Sequence, residues 1–324
     1  MSERSEFFVF MLVMEKKIDK LEHLILEQRQ NISEYKSTVD RPSKSLVSQP
    51  TKQGRKKMNA PIGVFDSGVG GLTVVRELMR QLPNENIIYF GDTARVPYGS
   101  KSKQTVLKYS KQIVRFLRTK NVKAIVIACN TASALALDEI EAEIDIPIIG
   151  VVEPGAKMAA ENTKTKSIGI IATEATIKSG IYNKYLRELN PEITVVEKAC
   201  PLFVPLVEEG LIEDRVTDDI VGRYLQELKE YHVDSLILGC THYPLIRNPI
   251  KRFMGEQVEL VNPAYETAKS LKELLIDQDL LNDAKGVVKH QYYVSDGVDK
   301  FISFADKVLP CHVENTQIID IESY

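Results

Sequence analysis

The segment IGVFDSGVGG (residues 62–71), followed by LTVVRELMRQL (residues 72–82), determines the fold class. A short apolar run leads into a turn of small residues and then into an amphipathic helix. The same order returns with the strands NIIYFGD (residues 86–92) and KAIVIAC (residues 123–129), separated by a helix over 102–120. Continuous Val/Ile runs that alternate with helices indicate a parallel sheet covered on both faces. The sequence therefore predicts an α/β fold.

A second copy of this pattern follows the first. The segment KSIGIIATEATIKSG (residues 166–180) parallels IGVFDSGVGG, and DSLILGCTHYP (residues 234–244) parallels KAIVIACNTAS (residues 123–133). In each copy an apolar strand ends in a cysteine, Cys129 in the first and Cys240 in the second. We therefore predict two pseudo-symmetric parallel-sheet αβα half-domains, with the active site in the cleft between them.

The same patterns suggest where the two domains divide. We predict a first domain over 58–155, which ends with the strand IPIIGVVEP (residues 146–154), and a second domain over 156–264. The chain then returns with a helix pattern and a short strand, HQYYVSD (residues 290–296). We expect this last part, residues 265–324, to complete the first domain.

Residues 1–57 differ in composition from the rest of the chain. They contain 12 Lys and Arg against 8 Asp and Glu, a net charge of +4, so the remaining residues carry −7 of the total −3. Apolar residues at helical spacing predict a helix over 15–32, and the polar, basic segment over 36–57 is typical of a flexible linker. Glu3 and Glu6 precede the apolar run FFVFMLVM, and no small-residue cleavage site follows it, which argues against a signal peptide.

The overall composition excludes several classes of protein. With 324 residues and a net charge of −3, the chain implies no surface for nucleic acid. Its longest apolar run is far shorter than the roughly 20 residues that span a bilayer, so we expect no membrane partner. Four cysteines over this length do not indicate a disulfide scaffold. We therefore predict a cytoplasmic protein in a reducing compartment.

Polar and reactive side chains stand where the predicted strands end. They are Asp66, Asp92, Cys129, Glu153 and Cys240. In open parallel sheets, ligands collect at the carboxyl ends of the strands. A thiol that precedes a helix is also exposed to the field of the helix N-terminus, which favours the thiolate. The sequence therefore predicts one cleft with a reactive cysteine on each wall.

Three chemistries suit two such cysteines. Zinc could use Cys129, Cys240 and His242, although no CxxC pair supplies the usual ligands. A Cys–His hydrolase needs one nucleophile and one base, which leaves the second cysteine without a role. Proton transfer at a carbon stereocentre uses both, because inversion requires an acid and a base on opposite faces of the carbon. We interpret Cys200 and Cys311 as packing residues.

Four segments that contain these residues resemble the signature segments of glutamate racemases. They are PIGVFDSGVGG (61–71), PYGS (97–100), ACNTAS (128–133) and GCTHYP (239–244). Two further segments, VVEPGA (151–156) and ACPLFVPLVEEG (199–210), are also similar to segments of that family. The resemblance extends from Pro61 to the C-terminus, and the motifs are specific because they occur together in the order of the family.

The resemblance implies a racemase that interconverts L- and D-glutamate without a cofactor and without a metal, and that supplies D-glutamate for bacterial peptidoglycan. Cys129 would take the proton from D-glutamate and Cys240 the proton from L-glutamate. Asp66 would assist Cys129. His242, held by Glu153, would assist Cys240. The family also implies a homodimer.

The chemistry of these residues is consistent with a set of substrate contacts, and the family motif implies the one at Tyr98 and Gly99. Asn130, Thr131 and Thr241 are donors suited to the α-carboxylate, and they would stabilise the charge that develops there. Ser67 and Asp66 would accept from the α-ammonium group, and His242 also belongs to this substrate-binding set. The backbone of the turn at Tyr98 and Gly99 would bind the side-chain carboxylate.

Other interpretations remain open at this stage. An aspartate racemase fits the same two cysteines, and a binding protein that keeps the fold without the chemistry fits the pattern of strands. The GVGG turn is a weak phosphate-loop signal because no Lys-Ser/Thr follows it. Asp66 and Ser67 can equally form a helix cap, Tyr98 and Gly99 an ordinary turn, His242 a structural imidazole, and Glu153 the end of a strand.

Overall fold

The computed structural model describes residues 57–283 and 286–324, and in these ranges the strands form two parallel sheets. The helix predicted over 15–32 lies outside the described residues, as does the linker predicted over 36–57 except for its last residue. No helix within the described ranges combines the length and the apolar character that crossing a bilayer requires.

Six strands form the first sheet. They are β1 (Ile62–Asp66), β2 (Ile87–Gly91), β3 (Ala124–Ile127), β4 (Ile148–Gly150), β9 (Gln291–Val294) and β10 (Gln317–Ile318). Their order across the sheet is β10-β9-β2-β1-β3-β4, and every pair is parallel. The strand predicted over 290–296 is therefore β9, which pairs with β2 of the first sheet.

Four strands form the second sheet. They are β5 (Ser167–Ala172), β6 (Thr194–Ala199), β7 (Ser235–Gly239) and β8 (Glu259–Val261). Their order is β6-β5-β7-β8, again with every pair parallel. The core of the first sheet, β2-β1-β3-β4, has the same order of second, first, third and fourth strand. The prediction of two similar parallel-sheet halves is confirmed.

Helices connect successive strands and cover the sheets. They are α1 (Leu72–Gln81), α2 (Lys103–Thr119), α3 (Asn130–Glu141), α4 (Val152–Asn162), α5 (Glu174–Ser179), α6 (Ile181–Leu189), α7 (Phe203–Glu208), α8 (Arg215–Glu230), α9 (Arg247–Met254), α10 (Pro263–Asp277) and α11 (Val298–Val308). Neighbouring residues of β1 show that both faces are covered, because Val64 packs in one apolar cluster and Phe65 in another. This explains why the strands are continuous apolar runs.

Helix α4 begins earlier than the sequence predicts. The strand predicted over 146–154 is only Ile148–Gly150, because helix α4 has already begun at Val152. Pro154 lies in the first turn of α4, where its missing N–H costs no helical hydrogen bond. The boundary predicted between residues 155 and 156 therefore falls inside a helix. The boundary predicted after residue 264 likewise falls inside α10.

Candidate active site

A narrow cavity of about 40 Å³ lies where the strand ends of the two sheets meet. Both Cys129, which follows β3, and Cys240, which follows β7, line this cavity. The other lining residues are Ser67, Gly68, Val96, Pro97, Tyr98, Gly99, Asn130, Thr131, Thr173, Val204, Glu208, Thr241 and His242. The structure thus brings together most of the residues singled out from the sequence, and each sheet supplies one thiol.

Cys129 occupies the N-cap position of α3. Its Sγ accepts a hydrogen bond from the backbone N–H of Ala132 at 3.5 Å, and its thiol donates to Ser67 Oγ at 3.6 Å. Burial raises the pKa of the Cys129 thiol to about 12, and the negative charge of Asp66 adds to the effect. The N–H of Ala132 at the helix N-terminus lowers this pKa, as the sequence predicts, but burial outweighs it. The balance favours the protonated thiol.

Asp66 supports the glycine turn that follows β1. Its side chain is fully buried, and Oδ2 accepts hydrogen bonds from the backbone N–H groups of Gly68 at 3.1 Å and Gly71 at 3.0 Å. Burial raises the pKa of this carboxyl. Asp66 is not among the residues that line the cavity, whereas its neighbour Ser67 is. The structure therefore gives no direct support for Asp66 as a substrate contact.

Cys240 lies beside a buried histidine. The distance from Cys240 Sγ to His242 Nδ1 is 3.8 Å, and His242 Nε2 lies 3.2 Å from Glu208 Oε1. Burial alone would lower the pKa of His242, but the hydrogen bonds to Cys240 and Glu208 outweigh it and raise the pKa to about 10. The hydrogen bond between His242 and Glu208 also lowers the pKa of Glu208 to about 2, and a second hydrogen bond, from Lys300 Nζ at 3.0 Å, contributes to this shift. The raised pKa favours the imidazolium, in which both ring nitrogens are donors.

The carboxylate predicted to hold His242 was the wrong one. Glu153 is exposed in the first turn of α4, and the ring contacts Glu208 at the end of α7 instead. Glu208 lies in the segment ACPLFVPLVEEG (199–210), which resembles a segment of the family. An acidic residue that ends an apolar helical stretch was the signal available in the sequence.

The glycine turn of the first half packs closely against the second half. A β-carbon at Gly70 would lie 2.4 Å from the His242 ring and 2.4 Å from Thr241 Oγ1. Thr73, in the first turn of α1, donates to the backbone carbonyl of Thr241 at 3.0 Å. The glycines thus serve close packing of the two halves, which explains the turn without any phosphate.

The turn at Tyr98 and Gly99 is held from behind by a carboxylate. The Tyr98 hydroxyl donates to Asp92, and Arg95 Nε contacts both Asp92 oxygens, at 2.9 and 2.8 Å. Because Tyr98 is buried with its hydroxyl on Asp92, its backbone is the part left for a ligand. A β-carbon at Gly99 would lie 2.6 Å from Thr173 Cβ, so this turn also touches the second half.

Asn130 and Thr131 begin α3 and reach across to the second half. Thr131 Oγ1 lies 2.9 Å from Thr173 Oγ1 and 3.1 Å from Thr176 Oγ1. Asn130 Oδ1 accepts a hydrogen bond from the hydroxyl of Tyr182 at 2.7 Å. No sequence pattern indicates Thr173, Thr176 or Tyr182, because a single sequence does not show which distant residues meet across a cleft.

The described residues do not form a metal site, and the two remaining cysteines, Cys200 and Cys311, do not line the cavity. In the two ranges that the structure describes, no group of three or more His, Cys, Asp or Glu side chains is placed to hold a metal ion. Cys200 is buried, as the packing interpretation expects, but Cys311 is exposed, so that interpretation is wrong for Cys311.

Comparison with known proteins points in the same direction as the geometry. A model of the Asp/Glu/Hydantoin racemase family matches residues 62–271. A glutamate racemase of Geobacter metallireducens is 47% identical over 262 residues, which cover 81% of this chain and 97% of that protein. A solved glutamate racemase isoform from Bacillus anthracis aligns with a TM-score of 0.79 and 40% identity, over 81% of this chain and 98% of that chain. Francisella tularensis glutamate racemase, solved in complex with D-glutamate, gives a TM-score of 0.77 and 41% identity, over 82% and 100%.

Proposed function

Since the chain belongs to the glutamate racemases of the Asp/Glu/Hydantoin racemase family, and is therefore an amino-acid isomerase, we propose that it interconverts L- and D-glutamate with two thiols and no cofactor. The single observation that carries this mechanism is that Cys129 and Cys240, from matching positions in two similar sheets, line the same cavity. Inversion at Cα needs an acid and a base on opposite sides of the carbon.

The charges around the two sulfurs support a direction for the first step. Cys240 faces the His242 imidazolium, which provides a counter-charge for a thiolate, whereas burial keeps Cys129 protonated. With L-glutamate bound, the Cys240 thiolate takes the α-proton and the Cys129 thiol delivers its own proton to the opposite face. The product is D-glutamate, and the enzyme is left with a Cys129 thiolate and a Cys240 thiol. The reverse reaction, or exchange with solvent, restores the first state.

Three donors beside the thiols support binding of the α-carboxylate. Asn130 and Thr131 stand at the N-terminus of α3, where the helix dipole favours an anion, and Thr241 follows Cys240. These donors stabilise the charge that builds up on the carboxylate as Cα loses its proton. We assign the α-ammonium group to Ser67 and the side-chain carboxylate to the backbone at Tyr98 and Gly99. D-glutamate in the Francisella tularensis structure is consistent with a substrate of this size.

We further propose the cellular setting that the family resemblance implies. The enzyme supplies D-glutamate for peptidoglycan, and so for cell-wall formation and cell shape, from the cytoplasm and as a homodimer. We also propose that residues 265–324 belong with the first domain, because β9 and β10 extend the first sheet. The domain boundaries then lie near the starts of α4 and α10 instead of at residues 155 and 264.

Circular dichroism of the amino acid tests the proposed function directly. Purified protein without pyridoxal phosphate should racemise L-glutamate and leave L-aspartate essentially unchanged. The variants Cys129→Ala and Cys240→Ala should each lose activity in both directions. Cys311→Ala, which removes an exposed cysteine outside the cavity, is the matched control and should retain activity. A preference for aspartate would contradict the proposal that glutamate is the substrate. Strong residual turnover in either cavity variant would contradict the two-thiol mechanism.

A further inference from the structure

Tyr182 joins the two halves of the molecule at the cavity. It lies in α6 of the second half, is 1% exposed, and donates its hydroxyl to Asn130 Oδ1 at 2.7 Å. Asn130 belongs to the first half and lines the cavity beside Cys129. A buried tyrosine of one half thus holds the amide of a cavity residue of the other half.

The chemistry of this hydrogen bond fixes the direction of the amide. Burial, together with the negative charge of Cys240, raises the pKa of the Tyr182 phenol. The phenol therefore keeps its proton and acts as a donor, so the Asn130 oxygen faces it and the Nδ2 group points the opposite way. Among the residues that the structure describes, Nδ2 has no hydrogen-bond acceptor. Its two N–H groups are thus available to a group inside the cavity.

The packing around the ring keeps the hydroxyl in place. A β-carbon at Gly239 would lie 3.3 Å from Tyr182 Cε2 and 2.8 Å from the carbonyl oxygen of Ile171. The ring therefore lies against the last residue of β7, directly before Cys240. A rigid phenol held by a strand end is suited to orienting a neighbouring amide, because it loses little conformational freedom when the hydrogen bond forms.

We propose that Tyr182 is a positioning residue that turns the Asn130 amide so that its N–H groups donate to the carboxylate of the amino-acid substrate. This inference rests on the proposed racemase function and deepens it. Without the Tyr182 hydroxyl the amide is free to rotate, and its oxygen then faces the carboxylate for part of the time. Because L- and D-glutamate present the same carboxylate to Asn130, the loss affects both enantiomers alike.

Tyr182→Phe removes only the hydroxyl. We expect KM to rise about tenfold for both L- and D-glutamate, the size of one hydrogen bond to a charged group, with a smaller change in kcat. Tyr243→Phe is the matched control, because Tyr243 is also fully buried but donates to the backbone carbonyl of Cys200 at 2.8 Å. An unchanged KM in Tyr182→Phe would overturn the proposal.

A double-mutant cycle separates positioning from simple stability. If Tyr182 acts through Asn130, then adding Tyr182→Phe to Asn130→Ala should leave KM where Asn130→Ala alone puts it. Effects on KM that multiply instead would overturn the proposal. Asn130→Asp gives a second test that keeps Tyr182, because the carboxylate presents an oxygen where the amide presents N–H. It should raise KM more than Asn130→Ala, and a smaller rise would also contradict the inference. Wild-type protein that fails to racemise glutamate would instead refute the proposed function.

Discussion

Single charges make the two thiols chemically different. Cys129 is buried near the Asp66 carboxylate, and both effects oppose its thiolate. Cys240 lies 3.8 Å from His242 Nδ1, and the charge of that ring is maintained by Glu208 on its other side. Two similar sheets thus place their thiols in different electrostatic surroundings, and in the proposed mechanism Cys129 is the acid and Cys240 the base when L-glutamate reacts. This difference depends on one imidazolium.

The pH dependence of kcat should report this imidazolium. Because the pKa of His242 is raised to about 10, the ring is charged below that pH and loses its charge as the pH rises through it. In Glu208→Gln one of the hydrogen bonds that raise this pKa is weakened. We therefore expect the alkaline limb of kcat for L-glutamate to move to lower pH by about one unit, as expected for a hydrogen bond to a charged group. The measurement is kcat against pH at saturating substrate.

The neighbouring exposed residue gives the control for this experiment. Glu209→Gln removes the same charge one position along the chain and should leave the alkaline limb in place. Because the substrate ammonium group titrates identically in every variant, only the difference between variants is informative. Identical limbs in wild type and Glu208→Gln would contradict the assignment of Glu208 as the partner of His242.

At the scale of elements, the glycine turn between β1 and α1 determines how closely the halves approach. Its backbone lies against His242 and Thr241, and the hydrogen bond from Thr73 to the Thr241 carbonyl connects the start of α1 to the second half. The turn at Gly99 makes a similar contact with Thr173. Glycines at both turns thus permit side chains of the opposite half to reach the cavity.

Gly70→Ala should test the role of this turn. The added β-carbon would lie 2.4 Å from the His242 ring, so the ring and the turn must move apart and the position of the ring beside Cys240 changes. A displacement of about 1 Å at a reacting group costs about a hundredfold in rate, and we expect a loss of kcat of that order. Gly222→Ala is the control, because its β-carbon would meet nothing closer than 3.5 Å. Near-normal kcat in Gly70→Ala would show that the ring position is not critical.

The elements show what sequence patterns can and cannot predict. Hydrophobic periodicity and apolar runs were sufficient to predict β1, β3 and β7 and the helices that follow β1 and β3, since each of these strands is buried on both faces. They failed at α4, where the apolar run IPIIGVV continues from strand into helix without a change of composition. The partner of His242 was also missed, because Glu208 comes from a helix 34 positions away and only the folded chain brings the two together.

At the scale of the whole molecule, a buried ion pair connects the segment that follows α10 to the first sheet. Lys123, just before β3, contacts Glu85 Oε2 at 2.6 Å and also donates to the carbonyl of Leu280 at 2.8 Å. Glu85 in turn accepts from the backbone N–H of Asn282 at 2.8 Å. Both charged side chains are almost completely buried. This cluster joins chain segments that are far apart in sequence.

Breaking this pair should be costly. Lys123→Met leaves Glu85 buried without its partner, and removal of one partner of a buried pair typically costs about 3–5 kcal/mol. Lys178→Met removes one partner of an exposed pair with Glu174 and should cost less than about 1 kcal/mol. Urea unfolding of both variants gives the two free energies of unfolding. Equal losses would contradict a structural role for the buried pair.

The route of hydrogen through the cavity is best tested by isotope labelling in D2O. Wild-type protein is incubated with unlabelled L-glutamate, and the two enantiomers are separated at low conversion for mass spectrometry. We predict that newly formed D-glutamate carries one deuterium at Cα while the remaining L-glutamate stays unlabelled, because one sulfur removes the hydrogen and the other delivers a solvent-derived one. D-glutamate that retains the original α-hydrogen, or L-glutamate that gains deuterium as fast as D-glutamate forms, would contradict the account.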